Sequence, residues 1–153
     1  MRKPDSRIVR RIAWFLTFAG AVPFALLTVT LFVGETAQVR VPAIAALVTY
    51  SAVVLSFLGG IEWGLALREE VGTERTRAIA LGFSTVPSLA AWAVLWLPSP
   101  TWQIGTALGI FVVTWAADQW LSSQGLLPTW FVDLRSAITG VVAVILGLAL
   151  WKL

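Results

Sequence analysis

Glu62, Asp118, Asp133 and Arg135 are charged side chains that stand in or beside long apolar runs of this chain. A carboxylate in such a run must be paired, protonated or functional. Lipid gives it no hydration, and the cost of a charge at a bilayer centre starts at roughly 2.5 to 3.5 kcal/mol. Glu62 is the sharpest case, because it lies near the end of a run from Val41 to Leu67 that holds no other charge. Arg135 is the natural partner for an acid here: a guanidinium stays protonated and can take a carboxylate through two parallel hydrogen bonds. Three acids against one guanidinium leave an imbalance. Protonation of one acid, recruitment of Arg68 or Arg77, or a bound cation or lipid amine would resolve it. Two readings follow. In one, Glu62 or Asp118 clamps onto Arg135 while Asp133 faces water near its helix N-terminus. In the other, Glu62, Trp63, Asp118, Asp133 and Arg135 form a cluster that handles a ligand or a proton.

These residues must be positioned by membrane helices. Of 153 residues 58% are hydrophobic and 12% charged, about half the usual charged share and too little polar surface for a soluble domain. A helix needs roughly 20 apolar residues to cross the hydrocarbon. Five runs qualify, at about 12–33, 41–67, 77–97, 102–121 and 129–151, so the expected fold is all-α: a polytopic membrane protein with five transmembrane helices in one bundle, residues 1–153 forming a single transmembrane domain. The first run, with Arg2, Lys3, Arg7, Arg10 and Arg11 before it, is longer than a signal-peptide core and is expected to be retained as an anchor. When the chain is threaded through the membrane, all Lys and Arg except Arg40 and Lys152 fall on one side. The positive-inside rule then predicts N-in and C-out, in a bacterial cytoplasmic (inner) membrane. The net charge of +3 is this topological bias, and no nucleic acid partner is expected.

Threading also gathers Glu62, Asp118, Asp133 and Arg135 on the cytoplasmic half, from three helices. On a helical wheel Glu62 shares its face with Ser51, Leu55, Leu58 and Gly59, opposite Gly60, and Asp118 shares its face with Thr114 and Phe111. Small residues recur at every fourth position in Ala52, Ser56, Gly60 and Gly64, in Thr101, Gly105 and Gly109, and in Thr139, Ala143 and Gly147. Such stripes allow close helix approach and are expected to pack inside the bundle. Pro23 and Pro87 each remove a backbone donor and should kink the first and third helices, with Ser84 or Thr85 re-satisfying the carbonyl freed by Pro87. Ser84, Thr85 and Ser88 beside that kink could wall a shallow cavity. Pro42 and Pro128 fall near helix starts, where a missing donor costs little. The paired Val-Pro sites, and the match of Glu62 and Trp63 with Asp118 and Trp120, fit a parallel repeat of two helical hairpins with the fifth helix added. Most of the nine tryptophans fit interfacial belts better than an aromatic ligand cage.

The chain has no Cys and no His. Disulfides, thiolate catalysis and Cys-ligated metal are excluded, and haem ligation and the usual imidazole proton shuttle are not expected. It also lacks a P-loop, a Gly-x-Ser-x-Gly elbow and the paired aspartates of an intramembrane protease. No catalytic residue, metal or cofactor is assigned, and the protein is expected not to be an enzyme.

Three blocks resemble a family of small bacterial membrane proteins related to mitochondrial transmembrane protein 69. They are Ser56-Phe57-Leu58-Gly59-Gly60-Ile61-Glu62-Trp63-Gly64, Val86-Pro87-Ser88-Leu89-Ala90-Ala91-Trp92 and Pro128-Thr129-Trp130-Phe131-Val132-Asp133-Leu134-Arg135. The resemblance implies a five-helix inner-membrane protein and supplies no reaction. In that family the position before the Trp often carries His or Arg where this chain has Glu62, so no shared catalytic role is implied there. The leading expectation is non-enzymatic binding of a lipid, a quinone or a partner subunit at the cluster. The alternatives are a proton- or ion-coupled transporter or channel subunit, with the Pro23 and Pro87 kinks as hinges, and a membrane-complex assembly factor. The expected partners are membrane lipids, with a homo-oligomer or a membrane partner protein as further options.

Overall fold

Proline decides where two of the five spans break. The computed structural model describes residues 6–70 and 72–153, and all regular elements among these are α-helices. The first span consists of α1 (Ser6–Ala19) and α2 (Val22–Val33), the third of α4 (Glu74–Ser84) and α5 (Val86–Val94). Each second half opens with Val-Pro, where the proline has no N–H to donate to the preceding turn. At the first break the Tyr50 hydroxyl donates to the Gly20 carbonyl at 2.9 Å, one residue past the Ala19 carbonyl that Pro23 leaves without its helical donor. At the other break, Ser84 and Thr85 donate to the Leu81 and Gly82 carbonyls, two and one residues short of the Phe83 carbonyl that Pro87 leaves without its helical donor.

The remaining spans are unbroken: α3 (Ala37–Ala66), α6 (Pro100–Ser123) and α7 (Thr129–Lys152). Among the described residues five helical segments are long and apolar enough to cross a membrane. The fifth span starts at Thr129 as its apolar run does, whereas the others start earlier, and for α4 and α6 capping chemistry sets the start. Thr73 accepts a hydrogen bond from the Thr76 backbone to open α4, and Ser99 caps α6 ahead of Pro100. Pro42 lies inside α3 rather than at its start, since the helix begins at Ala37. Arg7, Arg10 and Arg11 are helical, whereas Arg2 and Lys3 lie outside the described residues, as does Val71 of the charged α3–α4 loop.

Helix α3 is the hub, packing on α2, α4, α5 and α6, while α7 closes the ring against α6 and α2. The main apolar core runs through Phe24, Leu47, Leu55, Phe111, Ile138 and Leu146. A smaller cluster of Ala66, Ala80, Leu121, Leu126, Leu127 and Val132 lies at the end where α3 turns into α4 and α6 into α7. The expected seam along Ala52, Ser56, Gly60 and Gly64 is corrected: Ser56, Gly60 and Gly64 are exposed, and a Cβ added at either glycine would meet nothing within 4 Å. Gly59 makes the close approach instead. A Cβ there would run into the Ser84 carbonyl, so the backbones of α3 and the broken third span meet at this glycine. Gly105, Gly109 and Gly147 likewise have open space where a Cβ would stand.

Candidate functional site

Three helices each deliver one charged side chain to the level between the two apolar clusters. On α3, Glu62 follows Leu58 of the main core and precedes Ala66 of the smaller cluster. On α6, Asp118 falls between Phe111 and Leu121, and on α7, Arg135 falls between Val132 and Ile138. Their relative exposures are 2% for Glu62, 2% for Asp118 and 6% for Arg135, so water cannot compensate any of the three. Arg135 Nε donates to Asp118 Oδ2 at 2.6 Å, a short charge-assisted bond. The clamp expected from the sequence is therefore made by Asp118. The α6–α7 hairpin sets its register, since both residues lie about one and a half turns from the connection, and that symmetry about the turn is the signal that singles out Asp118 as the partner.

Glu62 is buried in the same layer as the Asp118–Arg135 pair. Neither of its oxygens has a hydrogen-bond partner among the described residues, and Arg135 Nη2 is also without one. Buried polar atoms are normally paired, and an unpaired one costs about 1–3 kcal/mol or more when charged. The cluster thus offers a free donor and two free acceptors in an interior setting. Asp133 is exposed, and Trp63 is 46% exposed; the structure brings neither into the buried group. The face predicted for Glu62 is the buried one, with Ser51, Leu55, Leu58 and Gly59 all interior. Among the described residues no group of three or more acids is arranged to hold a metal ion.

A cavity of about 340 Å³ adjoins the cluster. It forms beside the break between α1 and α2, where Gly20 and Ala21 leave room, and Tyr50, Val54, Leu58, Ile138 and Arg135 line it. Ser84, Thr85 and Ser88 do not belong to it, so the cavity stands at the Pro23 break rather than beside Pro87. No tryptophan is among its lining residues. Seven of the nine, Trp14 and Trp96 among them, are instead exposed on the outer surface. Tyr50 and Gly20 were not among the residues singled out in the sequence. The available signal was the lone tyrosine of the chain in the middle of an apolar run, where a phenol needs an acceptor.

The comparisons with known proteins agree with this architecture. Transmembrane protein 69 of Xenopus tropicalis is 34% identical over 132 residues, covering 86% of this chain and 50% of the relative. The chain therefore spans about half the length of that protein. No solved structure matches the chain. It is a multi-pass membrane protein with a helical bundle. The family described as "Protein of unknown function (DUF3429)" matches residues 9–151, taking in all three blocks noted in the sequence, and the chain belongs to that family.

Proposed function

We propose that this protein is a non-enzymatic binding protein of the inner membrane, oriented N-in and C-out, that holds a bilayer-derived amphiphile in the cavity beside Arg135. One observation carries the reading: a cavity of about 340 Å³ whose lining includes a buried guanidinium with an unpartnered Nη2. That volume is near the lower end of the roughly 300–1,000 Å³ typical of small-molecule sites, which are mostly apolar with a few placed polar groups. Native mass spectrometry from lipid discs tests it. The wild type is expected to retain a bilayer-derived molecule, and Val54→Trp, which fills the cavity without touching the cluster, is expected to lose it. A ligand-free wild-type spectrum overturns the reading.

The bare Glu62 carboxyl group favours a second reading, proton- or ion-coupled transport, since a buried acid in a membrane helix is a usual component of such relays. Proteoliposome flux through wild type and Glu62→Gln decides this. Equal, leak-level flux in both would remove it.

A further inference from the structure

The cavity's lining and its mouth narrow the chemistry of what it can hold. We propose that it takes an uncharged, ring-borne carbonyl head of the quinone class, entering sideways from the bilayer; this rests on the binding reading above. Four observations converge on that occupant.

The mouth opens on the outer flank of the bundle, because Leu16, Val53 and Phe57 in the lining are 61%, 58% and 66% exposed. An occupant arrives from among the lipid tails, and its own tail leaves by the same path. The interior is then mostly apolar and rich in flat side chains, with Phe24, Tyr50 and Phe131 around it and Phe57 at its mouth. Aromatic walls favour a planar ring through offset or edge-on packing.

The polar lining is biased towards donation. Tyr50 has already committed its hydrogen to the Gly20 carbonyl, which leaves the Arg135 guanidinium, bonded only through Nε, and the Thr17 hydroxyl as donors in the lining. An occupant that presents an acceptor, as a carbonyl does, answers the guanidinium, which has no acceptor of its own. Charge decides which acceptor it is. Asp118 already neutralises Arg135, and Glu62 adds a second acid to the same buried layer. An anionic head would bring a third acid to one guanidinium, whereas a carbonyl accepts from the guanidinium and adds no charge.

The experiment uses the full chain in lipid discs, with occupancy titrated by native mass spectrometry. The probes are three ten-carbon-tailed molecules: a benzoquinone, a monoacylglycerol and a fatty acid carboxylate. The quinone is expected to bind one per chain and about tenfold more tightly than either other probe, roughly the size of one good hydrogen bond. Val54→Trp, with its helicity checked by circular dichroism, is expected to weaken quinone binding at least tenfold. Tighter binding of the fatty acid or the monoacylglycerol overturns the quinone-class inference and leaves the broader binding reading standing. Absence of saturable binding by all three overturns both.

Discussion

Removing Asp118 strands the Arg135 guanidinium in the bundle interior, and the cost of that uncompensated charge, rather than the strength of the bond, sets the outcome. Asp118→Leu and Arg135→Met are each expected to lower stability by about 3–5 kcal/mol, while the double substitution regains most of the loss, since apolar groups of similar volume replace a buried pair at little or no cost. Unfolding in mixed micelles followed by circular dichroism measures all three; a double variant no better than the worse single would mean that the two residues do not act as a pair. Glu62 belongs to a different case. Its carboxyl oxygens have no partner to lose among the described residues, so Glu62→Gln, nearly equal in shape, is expected to unfold no earlier than the wild type. A drop comparable to that of Asp118→Leu would show Glu62 to be part of the clamp. The two acids are therefore expected to respond differently, Asp118 as the bonded partner of Arg135 and Glu62 as a carboxyl group with no partner among the described residues.

For whole helices the decisive contact is Gly59 against the Ser84 backbone. Gly59→Ala puts a methyl group into a carbonyl that cannot move aside without shifting the third span, and a cost of roughly 1–3 kcal/mol is expected from overpacking. Gly60→Ala, with open space at its Cβ, should be neutral, and paired melting curves of the two variants distinguish the faces. Adjacent glycines with opposite expected outcomes also show what the sequence could reveal. Helical periodicity placed Glu62 with Ser51, Leu55, Leu58 and Gly59, and hiding a carboxylate one turn from Gly59 selects that glycine's face as the interior one. The stripe through Ser56, Gly60 and Gly64 misled because small residues permit close packing without providing a partner. The hairpin pairing of Asp118 with Arg135 was legible only as one of two choices. The cavity was not legible, because it arises from the joint absence of side-chain volume at Gly20 and Ala21, next to a tyrosine thirty residues away in sequence.

For the molecule as a whole, the proposed orientation is open to a clean test because the chain has no cysteine. Glu35→Cys in the α2–α3 connection is expected to react with an impermeant maleimide from outside intact cells, and Glu70→Cys after α3 only once the cells are opened; the reverse pattern would invert the bundle. The loop that holds Glu70 has a second role. Gly72 (φ 71°) presses against Leu126, and Gly125 (φ 78°) ends α6 in a left-handed turn whose next residue, Leu126, donates back to the Leu121 carbonyl at 3.0 Å. These two glycines hold Leu126 in the smaller apolar cluster, at the end of the bundle where α3 turns into α4 and α6 into α7. An alanine at position 125 would strain the left-handed backbone by roughly 1–2 kcal/mol, and displacing Leu126 would admit water. At 4 Å separation two unit charges attract by about 4 kcal/mol at an effective dielectric constant of 20, but by only about 1 kcal/mol in water. The Asp118–Arg135 attraction is therefore expected to weaken when either glycine is replaced, a dependence on backbone dihedrals in two loops rather than on the charges themselves.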